Sequence, residues 1–107
     1  MKKKQPKPKR VIFVVDDEHD HYAFFYECLA ESLGDKYTII TFQSTDCFLN
    51  SLQAFRDAVT IHGFVLDITM EPGKTFKGNP KAELGLRTGI LLQEKLRKMG
   101  YVQKIAF

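Results

Sequence analysis

Residues 64–70 read FVLDITM, and this stretch carries the information that decides the fold. The apolar run before Asp67 is typical of a strand buried on both faces, as strands are in a parallel sheet covered by helices. A carboxylate directly after such a run is unfavourable unless another group pairs with it. Asp67 therefore marks the end of a candidate strand and is also a candidate functional residue.

Apolar runs of strand length recur along the chain, and helical patterns separate them. The four runs are VIFVV (11–15), YTIITF (37–42), GFVLDI (63–68) and QKIAF (103–107). The helical segments are residues 21–33, a stretch capped by Ser44 or Thr45 that ends near Ala58, and residues 86–99. This β-α-β-α-β-α-β order predicts an α/β fold, in which helices cover both faces of a parallel sheet. Residues 71–85, rich in Gly, Pro and Lys, are expected to form a loop.

The composition fits one small globular domain. A chain of 107 residues, 44% of them hydrophobic, can bury one core but is short for two domains. No apolar run approaches the roughly 18 residues of a membrane span, and VIFVV is too short for a signal peptide. Because Cys28 and Cys47 lack metal-site spacing, we expect reduced thiols in a cytoplasmic protein.

The first ten residues, MKKKQPKPKR, differ from the rest of the chain in charge. They hold 6 of the 16 basic residues and no acid, so the other 97 residues carry a net charge of −3. We therefore expect a disordered basic tail at residues 1–10, followed by one domain at residues 11–107. The tail could contact nucleic acid or an acidic partner, but the favoured interpretation is a solvated leader. Nucleic-acid binding through the domain is not expected.

Three aspartates follow two of the predicted strands. Asp16 and Asp17 come directly after strand 1, and Asp67 lies at the end of strand 3. In an open parallel sheet, ligands bind beyond the carboxyl ends of the strands. If strands 1 and 3 are neighbours, the three carboxylates converge and repel one another, by about 4 kcal/mol per pair at an effective dielectric constant near 20. A divalent cation with oxygen ligands, Mg²⁺ or Mn²⁺ in its place, would remove that repulsion.

The same geometry gives Asp67 a chemical role. An aspartate that attacks a phosphoryl group forms an acyl phosphate, a known type of covalent intermediate. The structural alternative is that Asp16 or Asp17 caps the following helix and that Asp67 forms a turn. The position of all three at strand ends favours a shared site. His19 and His21 could join a transition-metal site, but on a strand-to-helix turn they are expected to face solvent.

These residues resemble the receiver domains of two-component response regulators, across residues 11–107. The resemblance rests on the acidic pair in VVDDE, the aspartate in VLDITMEP and the Gly-led helix TGILLQEKLRKMG. It implies a flavodoxin-like fold, here truncated after the fourth strand, with Asp67 as the phosphoacceptor. It further implies that Asp16, Asp17 and Asp67 bind Mg²⁺ together with the backbone carbonyl of Thr69.

Two departures from the receiver pattern stand out. Gly89 lies 22 positions after Asp67, a longer connection than in the family, and Glu71 separates Met70 from Pro72. The inserted residues include four cations, Lys74, Lys77, Lys81 and Arg87. These cations could steer an anionic phosphodonor or gate the site, and the alternative is a solvated insertion.

The second departure lies beyond the fourth strand. In the family this strand ends in Ser or Thr, and a fifth strand ends in a Lys that pairs with the phosphoryl group. This sequence stops at Phe107, before either residue, which would leave strand 4 as an exposed edge. We expect that the chain is a fragment of a longer protein, or that a partner chain completes the sheet.

The resemblance implies a role in phosphorelay signalling. Asp67 would accept a phosphoryl group from a phosphohistidine on a sensor histidine kinase or a histidine phosphotransfer protein. Such a protein is a switch that catalyses its own phosphorylation rather than a turnover enzyme. The alternative is a phosphorylation-independent interaction module whose exposed edge binds another chain. A haloacid-dehalogenase-like phosphohydrolase is disfavoured, because those enzymes carry an aspartate two residues after the nucleophile and this chain has Thr69.

Overall fold

The computed structural model describes residues 10–85 and 87–107, apart from the side chains of residues 19–22, 25, 35 and 82–84. Residues 1–9 of the predicted tail lie outside that description, and Arg10, which we assigned to the tail, is the first residue of a strand. The strands are β1 (Arg10–Val15), β2 (Tyr37–Phe42), β3 (Thr60–Leu66) and β4 (Lys104–Ala106). The helices are α1 (His19–Leu33), α2 (Thr45–Arg56) and α3 (Thr88–Lys98), with 3₁₀ turns at Gly34–Lys36 and Pro80–Gly85.

The four strands form one all-parallel sheet in the order β2-β1-β3-β4, which confirms the α/β prediction and fits a truncated flavodoxin-like fold. Strand β1 is central, as its apolar composition requires, because both of its edges are paired. Val15 lies beside Leu66 at the end of the β1–β3 ladder. The residues that follow these two strands are therefore brought to the same edge of the sheet.

Aromatic packing holds the sheet against α2. The ring of Phe13, which has no exposed surface, lies 5.5–6.0 Å from the rings of Phe42, Phe48, Phe55 and Phe64. Because phenylalanines occupy strands and helix alike, their contacts tie β1 to β2, β3 and α2. Replacement of a ring so buried by alanine costs about 3–5 kcal/mol. This core fixes the strand ends that carry the aspartates.

The boundaries of the elements refine the sequence predictions. Of the two candidate caps for α2, Ser44 is the one used: its Oγ accepts the backbone N–H of Cys47 at 3.0 Å. Strand β3 begins three residues earlier than predicted and ends at Leu66, so Asp67 lies just beyond it. None of the helices in the described ranges has the length and apolarity that a bilayer crossing requires.

The predicted loop at residues 71–85 is more ordered than its composition indicated. It contains the 3₁₀ turn Pro80–Gly85, which we did not predict, and it buries the ring of Phe76. Gly85 supports this turn with a positive φ of 70°, where a side chain would overlap the backbone of Met70. The insertion therefore packs onto the domain and lies next to the strand ends.

Candidate metal centre

Three carboxylates meet beyond the carboxyl ends of β1 and β3. One oxygen from each of Asp16, Asp17 and Asp67 can be chosen so that all three atoms lie within 4.8 Å of one another. Backbone hydrogen bonds extend the sheet by one residue on each strand: Asp67 N–H donates to Val15 O, and Asp16 N–H donates to Phe42 O, both at 2.9 Å. The sheet itself therefore holds two of the three aspartates in place, because β1 and β3 are neighbours, which is the condition on which their predicted convergence depended.

Asp16 is the most deeply placed member of the cluster, with 5% of its surface exposed. Its Oδ1 accepts the backbone N–H of Glu18 at 2.9 Å, and its Oδ2 accepts the hydroxyl of Tyr26 at 2.7 Å. These bonds satisfy a carboxylate that burial would otherwise destabilise. Each oxygen keeps a further lone pair, so Asp16 can still serve as a metal ligand.

Asp17 is half-buried and faces the insertion. Its Oδ2 accepts the backbone N–H of Glu71 at 3.0 Å, across 54 residues of sequence. This bond joins the strand-end cluster to the segment that follows Asp67. The orientation of Asp17 therefore depends on where that segment lies.

Asp67 is in the least satisfied environment of the three. Burial raises the pKa of its carboxyl above the ordinary value, and the neighbouring charge of Asp16 raises it further. The backbone N–H of Thr69, 3.3 Å from Asp67 Oδ1, opposes this rise in the pKa, and the charge of Asp17 adds to it. Burial and the two neighbouring charges all disfavour the ionised carboxylate of Asp67, and a cation beside it would favour that form.

The start of α3 packs tightly against residues 67–70, which follow β3. Gly89 N–H donates to Ile68 O at 2.9 Å, and a side chain at Gly89 would overlap the carbonyl oxygen of Asp67. The fully buried Thr88 donates its hydroxyl to Met70 O at 2.6 Å. Only glycine permits this approach of the two backbones, so the Gly-led helix motif has a defined physical role.

A groove of about 450 Å³ opens beside the cluster. Its lining combines residues of the β1–α1 turn with residues of the insertion: Asp17, Glu18, Thr69, Met70, Glu71, Pro72 and Gly85. Because Asp17 belongs to both the cluster and the groove, a small ligand in the groove would lie next to the carboxylates. The cluster can therefore be reached from solvent.

The structure brings together the three predicted aspartates and places Thr69 next to them. The backbone N–H of Thr69 contacts Asp67, while the metal-binding role of the Thr69 carbonyl stays a prediction. The side chains of His19 and His21 lie outside the described residues. His62 belongs to β3, and its ring centre lies 4.9 Å from that of Tyr37.

Sequence reasoning missed two contributors. Tyr26 was not among the predicted site residues, although its position on the helix after Asp16 indicated that its hydroxyl could reach back to that carboxylate. Asp46, which binds the insertion, gave no such signal because its partners are 28 and 29 residues away.

The donor set fits a hard divalent cation, since it consists of carboxylate oxygens from two strand ends. The cluster can thus bind a metal ion. Searches against family models, curated proteins and solved structures found no match to this chain. The likeness to receiver domains accordingly remains a prediction from the motifs, and the functional argument rests on the geometry of the site.

Proposed function

We propose that this protein is a receiver that accepts a phosphoryl group on Asp67 in a Mg²⁺-dependent step. The observation that carries the proposal is the convergence of Asp16, Asp17 and Asp67 within 4.8 Å at the carboxyl edge of a parallel sheet. This edge is where open α/β sheets bind their ligands. An isolated carboxylate would not require a cation, whereas three that repel one another are stabilised by one.

The three aspartates have different roles in this proposal. Asp16 and Asp17 would hold Mg²⁺, with Asp67 and the carbonyl of Thr69 as further ligands. When bound, Mg²⁺ (or Mn²⁺) would neutralise the cluster and the negative charge of the phosphoryl oxygens. Asp67 is the nucleophile in this proposal because it directly follows β3, beside the metal-binding pair that follows the neighbouring strand β1.

The chemical step is an in-line displacement at phosphorus. An oxygen of ionised Asp67 forms the new O–P bond, and the bond from phosphorus to the donor's imidazole nitrogen breaks. The electron pair stays on that nitrogen, which takes up a proton from water. The donor would be a phosphohistidine on a sensor histidine kinase or a histidine phosphotransfer protein. The chain would catalyse its own modification, as a switch and not as a turnover enzyme.

A small acyl phosphate tests this proposal without the cognate donor. The full chain is incubated with acetyl phosphate, with and without Mg²⁺, and its intact mass is recorded. We expect the gain of one phosphoryl group that requires Mg²⁺ and disappears in Asp67→Asn. Asp57→Asn is the matched control, because it removes one negative charge at the far end of α2 and should react like the parent. Equal phosphorylation of Asp67→Asn and the parent would sink the proposal.

A second candidate function is a phosphorylation-independent interaction module. Strand β4 pairs with β3 alone within the described ranges, and the nearby Val102 is 85% exposed. An edge strand with unpaired backbone groups can add a strand from a partner chain or from a further segment of the same protein. This function predicts partner binding that Asp67→Asn leaves unchanged and that does not depend on Mg²⁺, so the same variant separates the two candidates.

A further inference from the structure

Asp46, the second residue of α2, forms a hydrogen-bonded anchor for the insertion. Its Oδ2 accepts the backbone N–H of Lys74 at 2.8 Å. Its Oδ1 accepts the backbone N–H of Thr75 at 3.0 Å and the hydroxyl of Thr75 at 2.5 Å. These hydrogen bonds hold the pKa of Asp46 below the ordinary aspartate value, and the bond from the Thr75 hydroxyl has the largest effect. Both oxygens of the Asp46 carboxylate therefore bind the insertion.

The helix itself does not need this carboxylate as its cap. Ser44 already caps α2 by accepting the N–H of Cys47. An aspartate in the first turn of a helix is favourable through the helix dipole alone, but both oxygens of Asp46 point away from the helix to Lys74 and Thr75. The arrangement thus serves the insertion more than it serves α2.

Residues 71–76, which we term the strap, run from the metal centre to this anchor. At one end the backbone N–H of Glu71 donates to Asp17 Oδ2. At the other end Gly73, with a φ of 66°, approaches Asp46 so closely that a Cβ would lie 2.6 Å from its carboxylate oxygen. The buried ring of Phe76 completes the attachment. A short segment therefore bridges Asp46 and Asp17.

We infer that Asp46 is a positioning residue for the metal centre, acting through the strap. By fixing Lys74 and Thr75, it keeps the N–H of Glu71 on one oxygen of Asp17 and so holds the orientation of that carboxylate within the cluster. Without the anchor, the strap moves and Asp17 loses the partner that orients it. Groups that orient a metal ligand commonly change metal affinity by about 10–100-fold when removed. This inference rests on the proposed Mg²⁺ site.

The test compares Mg²⁺ binding with the mobility of the strap in the full chain. Calorimetry gives the Kd for Mg²⁺, and hydrogen exchange measured by NMR gives the protection of the Glu71 amide. For Asp46→Ala we expect an increase in Kd of about 10-fold and faster exchange at Glu71. The acetyl phosphate reaction should need more Mg²⁺ for half-maximal rate, with little change in the rate at saturating Mg²⁺. A direct reactant would instead lower the saturated rate.

Two further variants make the result specific. Thr75→Val removes the hydroxyl bond and leaves both amide bonds, so it should raise the Kd less than Asp46→Ala does; it carries the test should Asp46→Ala fail to fold. Asp57→Asn controls for the loss of one charge on α2 and should match the parent in Kd and in Glu71 protection.

The outcomes separate this inference from the function on which it rests. A parent chain that binds no divalent cation overturns the proposed function and this inference together. Parent binding that is unchanged in folded Asp46→Ala, or in Thr75→Val where that variant carries the test, overturns this inference alone. Weaker Mg²⁺ binding with loss of Glu71 protection in Asp46→Ala, and not in Asp57→Asn, supports it.

Discussion

Asp67 and Asp46 lie in the same small domain but in opposite electrostatic environments. Asp67 lies close to two other carboxylates, and burial together with the charge of Asp16 raises its pKa. Asp46 accepts three hydrogen bonds from two residues, and these lower its pKa. The first environment disfavours the anion, while the second favours it.

This difference separates the residue that anchors the insertion from the residue that we propose as the phosphoacceptor. Asp46 is satisfied by the protein alone, as expected for a residue that stabilises a loop. The charges of Asp16 and Asp17 raise the pKa of Asp67, so the repulsion within the cluster is a cost that a bound metal ion would relieve. Unfavourable local electrostatics of this kind are typical of functional sites.

Glycine substitutions should have the largest effects on the free energy of unfolding. They also compare the packing around Asp67 with the packing around Asp46. A methyl group at Gly89 would overlap the backbone carbonyl of Asp67 and lie 2.8 Å from Ile68 Cα. A methyl group at Gly73 would instead meet the carboxylate of Asp46, which is the mobile end of a side chain. We expect Gly89→Ala to lower the free energy of unfolding by about 3 kcal/mol and Gly73→Ala by about 1–2 kcal/mol.

Urea denaturation followed by circular dichroism measures both values, with Gly78→Ala as the control. Gly78 also has a positive φ, of 81°, but no atom lies within 4 Å of a Cβ placed there. Gly78→Ala therefore reports the cost of the backbone conformation alone. Equal effects of Gly89→Ala and Gly78→Ala would show that the close approach of α3 to residues 67 and 68 does not contribute to stability.

Removal of the Asp46 charge should destabilise the fold in a pH-dependent way. Because the pKa of Asp46 is lower in the folded chain, its contribution is complete above the ordinary aspartate value of 3.8 and is lost as the pH falls below it. We expect Asp46→Asn to cost about 1 kcal/mol at pH 7, since solvent screens part of the interaction. Thermal unfolding at pH 7 and pH 3 should show this difference shrinking in acid; a constant difference would mean that the charge is not involved.

Most of the fold could be predicted because its signals are local. Close neighbours in sequence determine the apolar runs of the strands and the spacing of apolar residues in the helices. The same holds for Ser44, one of the two predicted caps of α2. The parallel order then follows from the helices between the strands. The unpredicted 3₁₀ turn Pro80–Gly85 ends at Gly85, which contacts the backbone of Met70. This contact joins residues distant in sequence, so the sequence of the loop alone does not predict it.

The site was predictable only in the part that the sheet determines. Asp16 and Asp67 come together because β1 and β3 are neighbours, and motif spacing was sufficient to expect that. The Glu71–Asp17 bond and the Asp46 anchor join residues 54 and 28 positions apart, through backbone N–H groups that every residue except proline carries. No residue type signals such a partner, so these contacts could be found only from the structure.

Neutralisation of Asp67 should have the opposite effect to neutralisation of Asp46. Because the pKa of Asp67 is raised in the folded chain, its ionisation costs stability above that pKa, and the cost disappears as the pH falls toward 3.8. Without divalent cations, Asp67→Asn should therefore unfold at a higher temperature than the parent at pH 7, by a small margin because solvent screens part of the repulsion. At pH 3 the two chains should be close in stability.

Addition of Mg²⁺ should then make the parent more stable than Asp67→Asn at pH 7. A ligand that binds the folded state stabilises it by about 2.7 kcal/mol at 100 times its Kd, and Asp67→Asn would bind Mg²⁺ more weakly because one carboxylate is gone. The parent should gain more in unfolding temperature than Asp67→Asn, while Asp57→Asn should follow the parent. If Asp67→Asn is less stable than the parent at pH 7 even without Mg²⁺, then the cluster is not under repulsion. The contrast with Asp46 would then lose its physical basis, because both aspartates would stabilise the fold through their charge.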